Sequence, residues 1–196
     1  MRSGFPDFRL GTVLATSFTG TLSERFGDPV ERIPVPHRLA DWLTVSGLAV
    51  DSCTPAQLDL ARALREAIHD AATAAALGDP LPAPAVRAIN DRSARGGAVA
   101  VLTPGGGRRW RLGATSPVED ALGVIAEDAI GVLAGERDGR LALCAAPTCR
   151  AAFFDTSRSR TRRWCDMNTC GNRQKKARFT AARRGDRHPG AGPVTG

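Results

Sequence analysis

Four of the five cysteines in this 196-residue chain fall within 27 residues, as two Cys-x4-Cys pairs separated by fifteen residues. The pairs are Cys144 with Cys149 and Cys165 with Cys170. Each pair is short enough for two thiolates to reach one ion, and the segment between the pairs lets them converge. Because Zn²⁺ takes about four tetrahedral ligands and binds thiolates well, the spacing predicts one zinc ion held by all four sulfurs. Four protein ligands leave no position for water, so the zinc is predicted to be structural rather than catalytic.

Two other uses of these cysteines are open to the sequence. Two disulfide bonds are one alternative, but residues 1–4 are not followed by the apolar core of a secretory signal, and we expect a cytoplasmic protein. Cysteine pairs in that compartment usually serve metal or redox chemistry. A redox dithiol fits less well, because the spacing is not Cys-x-x-Cys.

The residues around the second cysteine pair carry a family resemblance. The run Cys170-Gly171-Asn172-Arg173 follows Arg163-Trp164-Cys165-Asp166-Met167 and, further upstream, the first Cys-x4-Cys pair. This pattern resembles the CGNR-type zinc finger. That finger is usually the C-terminal module of bacterial proteins described as stress-induced transcriptional regulators, whose N-terminal domain is called ABATE. The resemblance implies DNA binding by the finger and a sensing role for the N-terminal domain.

Charge is distributed unevenly along the chain. Residues 1–149 carry 15 basic and 17 acidic side chains, whereas residues 150–196 carry 12 basic and 3 acidic ones. The net charges of the two parts are therefore −2 and +9. This asymmetry predicts a polyanionic partner for the C-terminal module alone.

Hydrophobic periodicity predicts an α+β protein whose N-terminal domain is mainly helical. Apolar residues at helical spacing, with capping residues and glycine stops, predict helices over residues 37–46, 55–77, 85–94 and 117–133. Two short apolar runs around Pro104-Gly105-Gly106-Gly107 predict one small β-hairpin. No apolar run approaches the ~18 residues that span a membrane, so no membrane partner is expected.

The module boundary is predicted between Gly135 and Gly139. The N-terminal domain then covers residues 1–137 and the zinc finger residues 138–185. Residues 186–196, rich in Gly and Pro, are predicted to be a disordered tail. Because no long linker separates the two modules, we expect them to be in contact.

The sequence also predicts three local features of the N-terminal domain. Residues 20–36, with two glycines and three prolines, are predicted to be an exposed loop. Ser116 and Glu119 are predicted to form a capping box at the start of the helix over residues 117–133. Arg65 is predicted to lie on the solvent-facing side of the helix over residues 55–77.

The finger is predicted to be treble-clef-like, with a knuckle, a connecting hairpin or loop, and a helix that begins near the last cysteine. A ligand at that helix start is favoured because the helix dipole stabilises a thiolate. Asn172 and Arg173 carry side chains that can read adenine and guanine edges, or they can serve the fold, by capping the cysteine turn or bracing it. The predicted DNA-binding residues are Arg158, Arg160, Arg162, Arg163, Asn172, Arg173, Lys175, Lys176, Arg183 and Arg184.

The leading functional hypothesis is a zinc-dependent DNA-binding protein that regulates transcription. Its N-terminal domain would sense an unidentified small-molecule effector or form a homodimer. An RNA-binding or protein-docking zinc module is the alternative, since a basic loop suits structured RNA as well as DNA. Catalysis is not expected, because His37, His69 and His188 lie far apart in the sequence and no nucleophile–base pair is visible. Cys53 is interpreted as a small buried hydrophobe, although a reactive thiol before a helix is an alternative.

Overall fold

The computed structural model of the protein describes residues 4–185, without the side chains of residues 178 and 181–185. The described chain forms six α-helices, three two-stranded antiparallel sheets and one π-helical turn over Met167–Gly171. The helices are α1 (Leu14–Thr19), α2 (Pro36–Val45), α3 (Pro55–Leu77), α4 (Ala83–Arg95), α5 (Pro117–Leu133) and α6 (Asn172–Gly185). The strands are β1 (Leu22–Ser23), β2 (Val30–Glu31), β3 (Val99–Leu102), β4 (Arg108–Arg111), β5 (Arg140–Leu143) and β6 (Ala152–Asp155). The predicted α+β class is confirmed, while the predicted tail over residues 186–196 lies outside the described residues.

Helix α3 is the centre of the N-terminal core. Thr54 opens it with a capping box, in which Thr54 Oγ1 accepts from the Gln57 amide and Gln57 Oε1 accepts from the Thr54 amide. Gly78 ends it in the left-handed region, at a φ of 78°. The apolar face of α3 packs with α1, α2, α4 and α5 around Trp42, which is fully buried. The predicted helix over residues 55–77 is confirmed.

Helices α4 and α5 approach so closely that glycine is required at their contact. A Cβ on Gly123 would lie 2.6 Å from the Cα of Gly96, and the converse distance is 2.8 Å. The predicted capping box at the start of α5 is wrong, because the Ser116 side chain makes no capping hydrogen bond. The carboxylate of Glu119 instead turns to Arg92 on α4, at 3.8 Å. Because Glu119 pairs with Arg92, its side chain does not form the hydrogen bond that the capping box requires.

The prediction of an exposed loop over residues 20–36 is also wrong. The segment contains β1 and β2, which pair with Leu22 opposite Glu31. Ile33 is fully buried and Arg32 is 2% exposed. The Arg32 guanidinium donates to the carbonyl oxygens of Asp7 and Val30, so its buried donors have partners. The glycines and prolines here shape a compact hairpin instead of a solvated loop.

Arg65 lies inside the protein, contrary to the solvent-facing position predicted for it. Its side chain is 4% exposed and donates to Glu31 Oε1 at 2.8 Å and to Thr21 Oγ1 at 3.2 Å. A buried guanidinium needs such partners, because an unpaired charge loses its hydration without compensation. Arg65 therefore fastens α3 to the β1–β2 hairpin, a contact that helical periodicity does not reveal.

The two modules are in contact, as predicted. Strand β5 packs against α3 and strand β6 against α1 and α3. The Thr12 hydroxyl donates to the Phe154 carbonyl at 3.2 Å. Among the described residues, no helix combines the length and the apolar character that crossing a bilayer demands.

Candidate metal centre

The four cysteines are placed by three different structural elements. Cys144 directly follows β5, and Cys149 lies in the turn that connects β5 to β6. Cys165 precedes the π-helical turn, and Cys170 lies within it, immediately before α6. A knuckle in a hairpin and a ligand at a helix start form the predicted treble-clef-like arrangement.

The geometry of the sulfurs fits one tetrahedral zinc ion. All four Sγ atoms lie within 4.8 Å of one another. The distance from Cys149 Sγ to Cys165 Sγ is 3.6 Å, and from Cys165 Sγ to Cys170 Sγ it is 3.7 Å. Tetrahedral ligands at a Zn–S distance of about 2.3 Å stand about 3.8 Å apart. A disulfide needs about 2.05 Å, and all four cysteines are free thiols, so the disulfide alternative is wrong.

The electrostatics of the cluster also call for a cation. Hydrogen bonds from Cys149, Cys165 and the backbone at Cys165 and Ala146 lower the pKa of Cys144 to about 2. Burial and the nearby Cys149 and Cys144 raise the pKa of Cys170 to about 12, and hydrogen bonding to Cys144 and Cys149 raises the pKa of Cys165. Four thiolates so close together repel one another. A divalent ion offsets that repulsion and lets every ligand lose its proton.

A small apolar core surrounds the cysteines. Phe153, 5% exposed, packs with three of the buried cysteines, and Trp164 covers the cluster from the side. A Cβ on Gly171 would lie 2.5 Å from Met167 Sδ and 3.3 Å from Trp164 Cδ1. The glycine that follows Cys170 therefore lets these two side chains close over the π-helical turn.

Two of the three carboxylates of the finger, those of Asp155 and Asp166, accept hydrogen bonds from backbone amides inside it. Asp155 is fully buried and accepts hydrogen bonds from the amides of Ser157 and Arg162, at 2.9 Å each. Asp166 accepts from the Asn168 amide at 2.8 Å and caps the π-helical turn. The loop between β6 and Cys165 is thus held in shape by backbone contacts, and its surface is left to basic side chains.

Arg173 joins the finger to the N-terminal domain. Its Nη1 and Nη2 atoms donate to Glu24 Oε2 at 2.6 Å and Glu24 Oε1 at 2.7 Å. Thr148 Oγ1 donates to the same carboxylate at 2.7 Å, and the Thr148 carbonyl accepts from the Phe26 amide at 3.0 Å. The Arg173 guanidinium holds the pKa of Glu24 below its usual range, and the Glu24 carboxylate raises the pKa of Arg173. The β1–β2 turn is thereby docked on the zinc knuckle.

Sequence reasoning did not single out Glu24 or Thr148. They lie 149 and 25 residues from Arg173, and no local pattern marks them. One backbone feature is unusual: Glu24 has a φ of 56°, a left-handed conformation that costs a non-glycine residue about 1 kcal/mol or more. Gly27 completes the contact, because a Cβ there would lie 2.9 Å from the Cβ of Thr148.

The ten predicted DNA-binding residues fall into three groups. Those exposed without an ion pair among the described residues are Arg158, Arg163, Lys175 and Lys176. Those bonded within the protein are Arg160 to Asp138, Arg162 to the Trp164 and Cys165 carbonyls, Arg173 to Glu24, and Asn172 to the Asn168 carbonyl. Arg183 and Arg184 belong to α6, but their side chains are outside those described.

A cavity of about 520 Å³ lies between the N-terminal segment and the finger. Residues 8–12 and Thr16 form one wall, and Phe153, Arg162 and Asp166 belong to the other. Cavities between modules are common places for small ligands. A molecule bound here would touch both parts of the chain.

The helical N-terminal unit and the four-cysteine finger define this molecule as a zinc-binding α+β protein. Residues 12–136 match the family model ABATE, described as "Putative stress-induced transcription regulator", and residues 140–184 match the CGNR zinc finger. The chain belongs to the ABATE family and carries a CGNR zinc finger at its C-terminal end. A search of curated proteins gave no significant match.

Proposed function

We propose that this protein binds duplex DNA through its zinc finger and regulates transcription from the cytoplasm, at the nucleoid. The observation that carries the proposal is the charge of the finger surface. Residues 150–185 contain 11 basic and 2 acidic side chains. Both acidic side chains, Asp155 and Asp166, are bonded to backbone amides within the finger. The exposed charge of residues 150–185 is therefore nearly all positive, which suits a phosphate backbone.

Four residues are best placed for phosphate contacts. Arg158 and Arg163 lie on the loop that Asp155 organises, and Lys175 and Lys176 lie in the first turns of α6. All four side chains are exposed. Because the zinc site fixes both the loop and the start of α6, it holds the two pairs of cations in one arrangement. Zinc serves DNA binding in this proposal by supporting the fold.

Arg173 is not expected to read a base. Its guanidinium already forms a two-point contact with Glu24, the geometry that a guanine edge would require. The bracing role that the sequence left open is the one this contact supports. Asn172 is exposed, and its Nδ2 donates to the Asn168 carbonyl at 3.3 Å, which supports the capping role that the sequence left open.

Duplex DNA is favoured over single-stranded RNA by the state of the finger's aromatic side chains. Sequence-specific RNA binding relies on exposed rings that stack on bases. Phe153 and Phe154 are 5% and 4% exposed, and Trp164 packs on the cysteine cluster. Phe179 on α6, which is 64% exposed, is the exception among these four aromatic side chains. Competition between duplex DNA and hairpin RNA for the zinc-loaded protein discriminates the two ligands.

The N-terminal domain is proposed to regulate, not to catalyse. Its contacts with the knuckle and its shared cavity connect it physically to the finger. An effector in that cavity, or dimerisation, would act on DNA binding through those contacts. Burial raises the pKa of the Cys53 thiol, which disfavours a reactive thiolate at this position.

The test is the salt dependence of DNA affinity, measured by fluorescence anisotropy on full-length zinc-loaded protein. Four phosphate contacts give a log–log slope of about −3.6, at about −0.9 for each contact. Lys176→Gln is expected to reduce the slope by about 0.9. Arg87→Gln, an exposed position on α4, removes the same charge and is expected to change nothing. Failure of the wild-type protein to bind at low salt, or equal slopes for Lys176→Gln and wild type, contradicts the proposal.

A further inference from the structure

A second basic surface lies far from the finger in sequence. Strands β3 and β4 and the turn between them, residues 99–111, form a two-stranded hairpin that we call the arginine ribbon. Three of the four residues of β4 are arginines: Arg108, Arg109 and Arg111. All three are exposed. Nothing in the finger's proposed role uses them.

The ribbon is an island of positive charge in an acidic domain. The ribbon, residues 99–111, contains three arginines and no acidic residue. Since residues 1–149 as a whole have a net charge of −2, the remainder of that stretch has a net charge of −5. The positive charge is thus concentrated in the ribbon, while the rest of residues 1–149 is acidic. A concentrated patch in an acidic background raises the local concentration of polyanions.

The ribbon arginines have no acidic partner in the described structure, unlike five other arginines of their domain. Within the described chain, the N-terminal arginines that form ion pairs are Arg25, Arg38, Arg65, Arg92 and Arg137. The described structure shows no ion pair and no side-chain hydrogen bond for Arg108, Arg109 or Arg111. Asp51 lines the concavity beside Arg109 and Arg111, but forms no ion pair with them. Three neighbouring like charges therefore stay uncompensated.

The geometry of the ribbon presents these charges outward. Trp110 packs against the main core, so strand alternation places Arg109 and Arg111 on the opposite face, about 7 Å apart. The Arg108 guanidinium stacks on the Trp110 ring at 4.3 Å. A two-stranded ribbon fits the DNA major groove, which is about 12 Å wide. Basic side chains on such a ribbon can reach phosphates from within or beside the groove.

The base of the ribbon is fixed to helix α5. The Asp120 carboxylate, which is buried, accepts from the Gly97 amide before β3 at 2.7 Å and from the Gly113 amide after β4 at 2.6 Å. At the tip, Gly106 adopts a φ of 78° and Thr103 Oγ1 donates to the Gly107 carbonyl at 3.0 Å. Both ends of the hairpin are thus ordered. A surface held in this way loses little conformational entropy when it binds.

We propose that the arginine ribbon is a second phosphate-binding surface, which contacts the backbone of the duplex DNA that the finger holds. The inference rests on the proposed function for the identity of the ligand. The ribbon itself adds contacts without base recognition, because guanidiniums on an exposed strand meet phosphates first. Two linked surfaces on one chain bind more tightly than either does alone, since the second contact is intramolecular.

The test compares Arg109→Gln with Arg87→Gln in the full-length zinc-loaded protein. Both positions are exposed and both substitutions remove one charge. Loss of one phosphate contact lowers the magnitude of the salt slope by about 0.9. If Arg109→Gln and wild type have equal DNA affinity at about 1 M salt, the affinity of Arg109→Gln is therefore about 15-fold lower than that of wild type at about 50 mM salt. Arg111→Gln is expected to behave like Arg109→Gln, and Arg87→Gln like wild type. Circular dichroism and zinc content should be unchanged in all three.

Each outcome decides between the two proposals. If wild-type protein binds DNA and Arg109→Gln matches Arg87→Gln, the ribbon proposal is overturned and the finger proposal stands. If wild-type protein does not bind DNA, both are overturned. Loss of binding to anionic phospholipid vesicles in Arg109→Gln, with DNA affinity unchanged, assigns the ribbon to a membrane surface and also overturns the proposal.

Discussion

The contact between Arg173 and Glu24 yields the most discriminating prediction, because it separates a structural role from a DNA-binding role. The Glu24 side chain is 9% exposed, whereas that of Arg173 is 44% exposed. Removing Arg173 leaves a buried carboxylate with the Thr148 hydroxyl as its remaining side-chain donor. Removing the charge of Glu24 leaves a guanidinium that water can still reach. The two halves of the pair should therefore not be equivalent.

The expected magnitudes follow from that asymmetry. Arg173→Ala should lower the free energy of unfolding by about 2–3 kcal/mol, since a buried charge loses its main partner. Glu24→Gln should cost about 1 kcal/mol, because the amide keeps the shape and Arg173 stays hydrated. Adding Glu24→Gln to Arg173→Ala should restore about 1 kcal/mol, as it removes the stranded carboxylate.

The assay is a double-mutant cycle from denaturant unfolding of zinc-loaded protein, with DNA affinity measured on each variant. The pKa of Glu24 is lowered in the folded state by Arg173, so the contribution of the pair is present at neutral pH. It is lost as pH falls through the folded-state pKa, below the ordinary value of 4.5. An Arg173→Ala variant with unchanged stability and a salt slope reduced by about 0.9 would refute the bracing role and make Arg173 a phosphate contact.

Three further predictions concern the metal site, the contact between α4 and α5, and the half-buried His69. Cys165→Ser should abolish zinc binding and unfold the finger, with a loss on the order of 10 kcal/mol of metal-linked folding free energy. The control variant Cys53→Ser should keep one zinc per chain. Metal analysis measures the zinc content of both variants, and circular dichroism measures their folding. Gly123→Ala should lower the free energy of unfolding by about 1–3 kcal/mol, because the added methyl group clashes with Gly96 at the end of α4. Gly131→Ala in the same helix should be neutral or stabilising by up to about 1 kcal/mol. Equal effects of the two substitutions in urea unfolding would contradict the close approach of α5 to Gly96. Burial lowers the pKa of His69 from 6.5 to about 4. Between these pH values the folded state therefore binds fewer protons than the unfolded state, and the free energy of unfolding falls as the pH drops. The total decrease across this window is about 3 kcal/mol. His69→Leu should flatten this part of the pH profile of unfolding free energy relative to wild type, and identical profiles would show that His69 titrates normally.

The metal centre was predictable from the sequence because its ligands form two short pairs. A Cys-x4-Cys spacing limits the distance between two sulfurs by covalent geometry alone, and two such pairs suffice for one ion. The long helix α3 was predictable for a similar reason. Its cap Thr54, its apolar period and its stop Gly78 are all local in sequence.

Two of the failures of sequence reasoning share one cause. Glu119 satisfied the pattern of a capping box, yet its carboxylate pairs with Arg92 from another helix. Arg65 satisfied the pattern of a solvent-facing residue, yet it meets Glu31 inside the fold. In each case a charged partner distant in sequence changed the outcome.

The sequence by itself determined the four-sulfur zinc site, the main helices and the basic character of the C-terminal module. Only the tertiary structure decided that Arg173 lies against Glu24, that Arg32 and Ile33 are buried, and that the ribbon arginines lack acidic partners among the described residues. The physical reason is range. Covalent spacing and helical period act over a few residues, whereas ion pairing and burial depend on which distant segments the fold brings together.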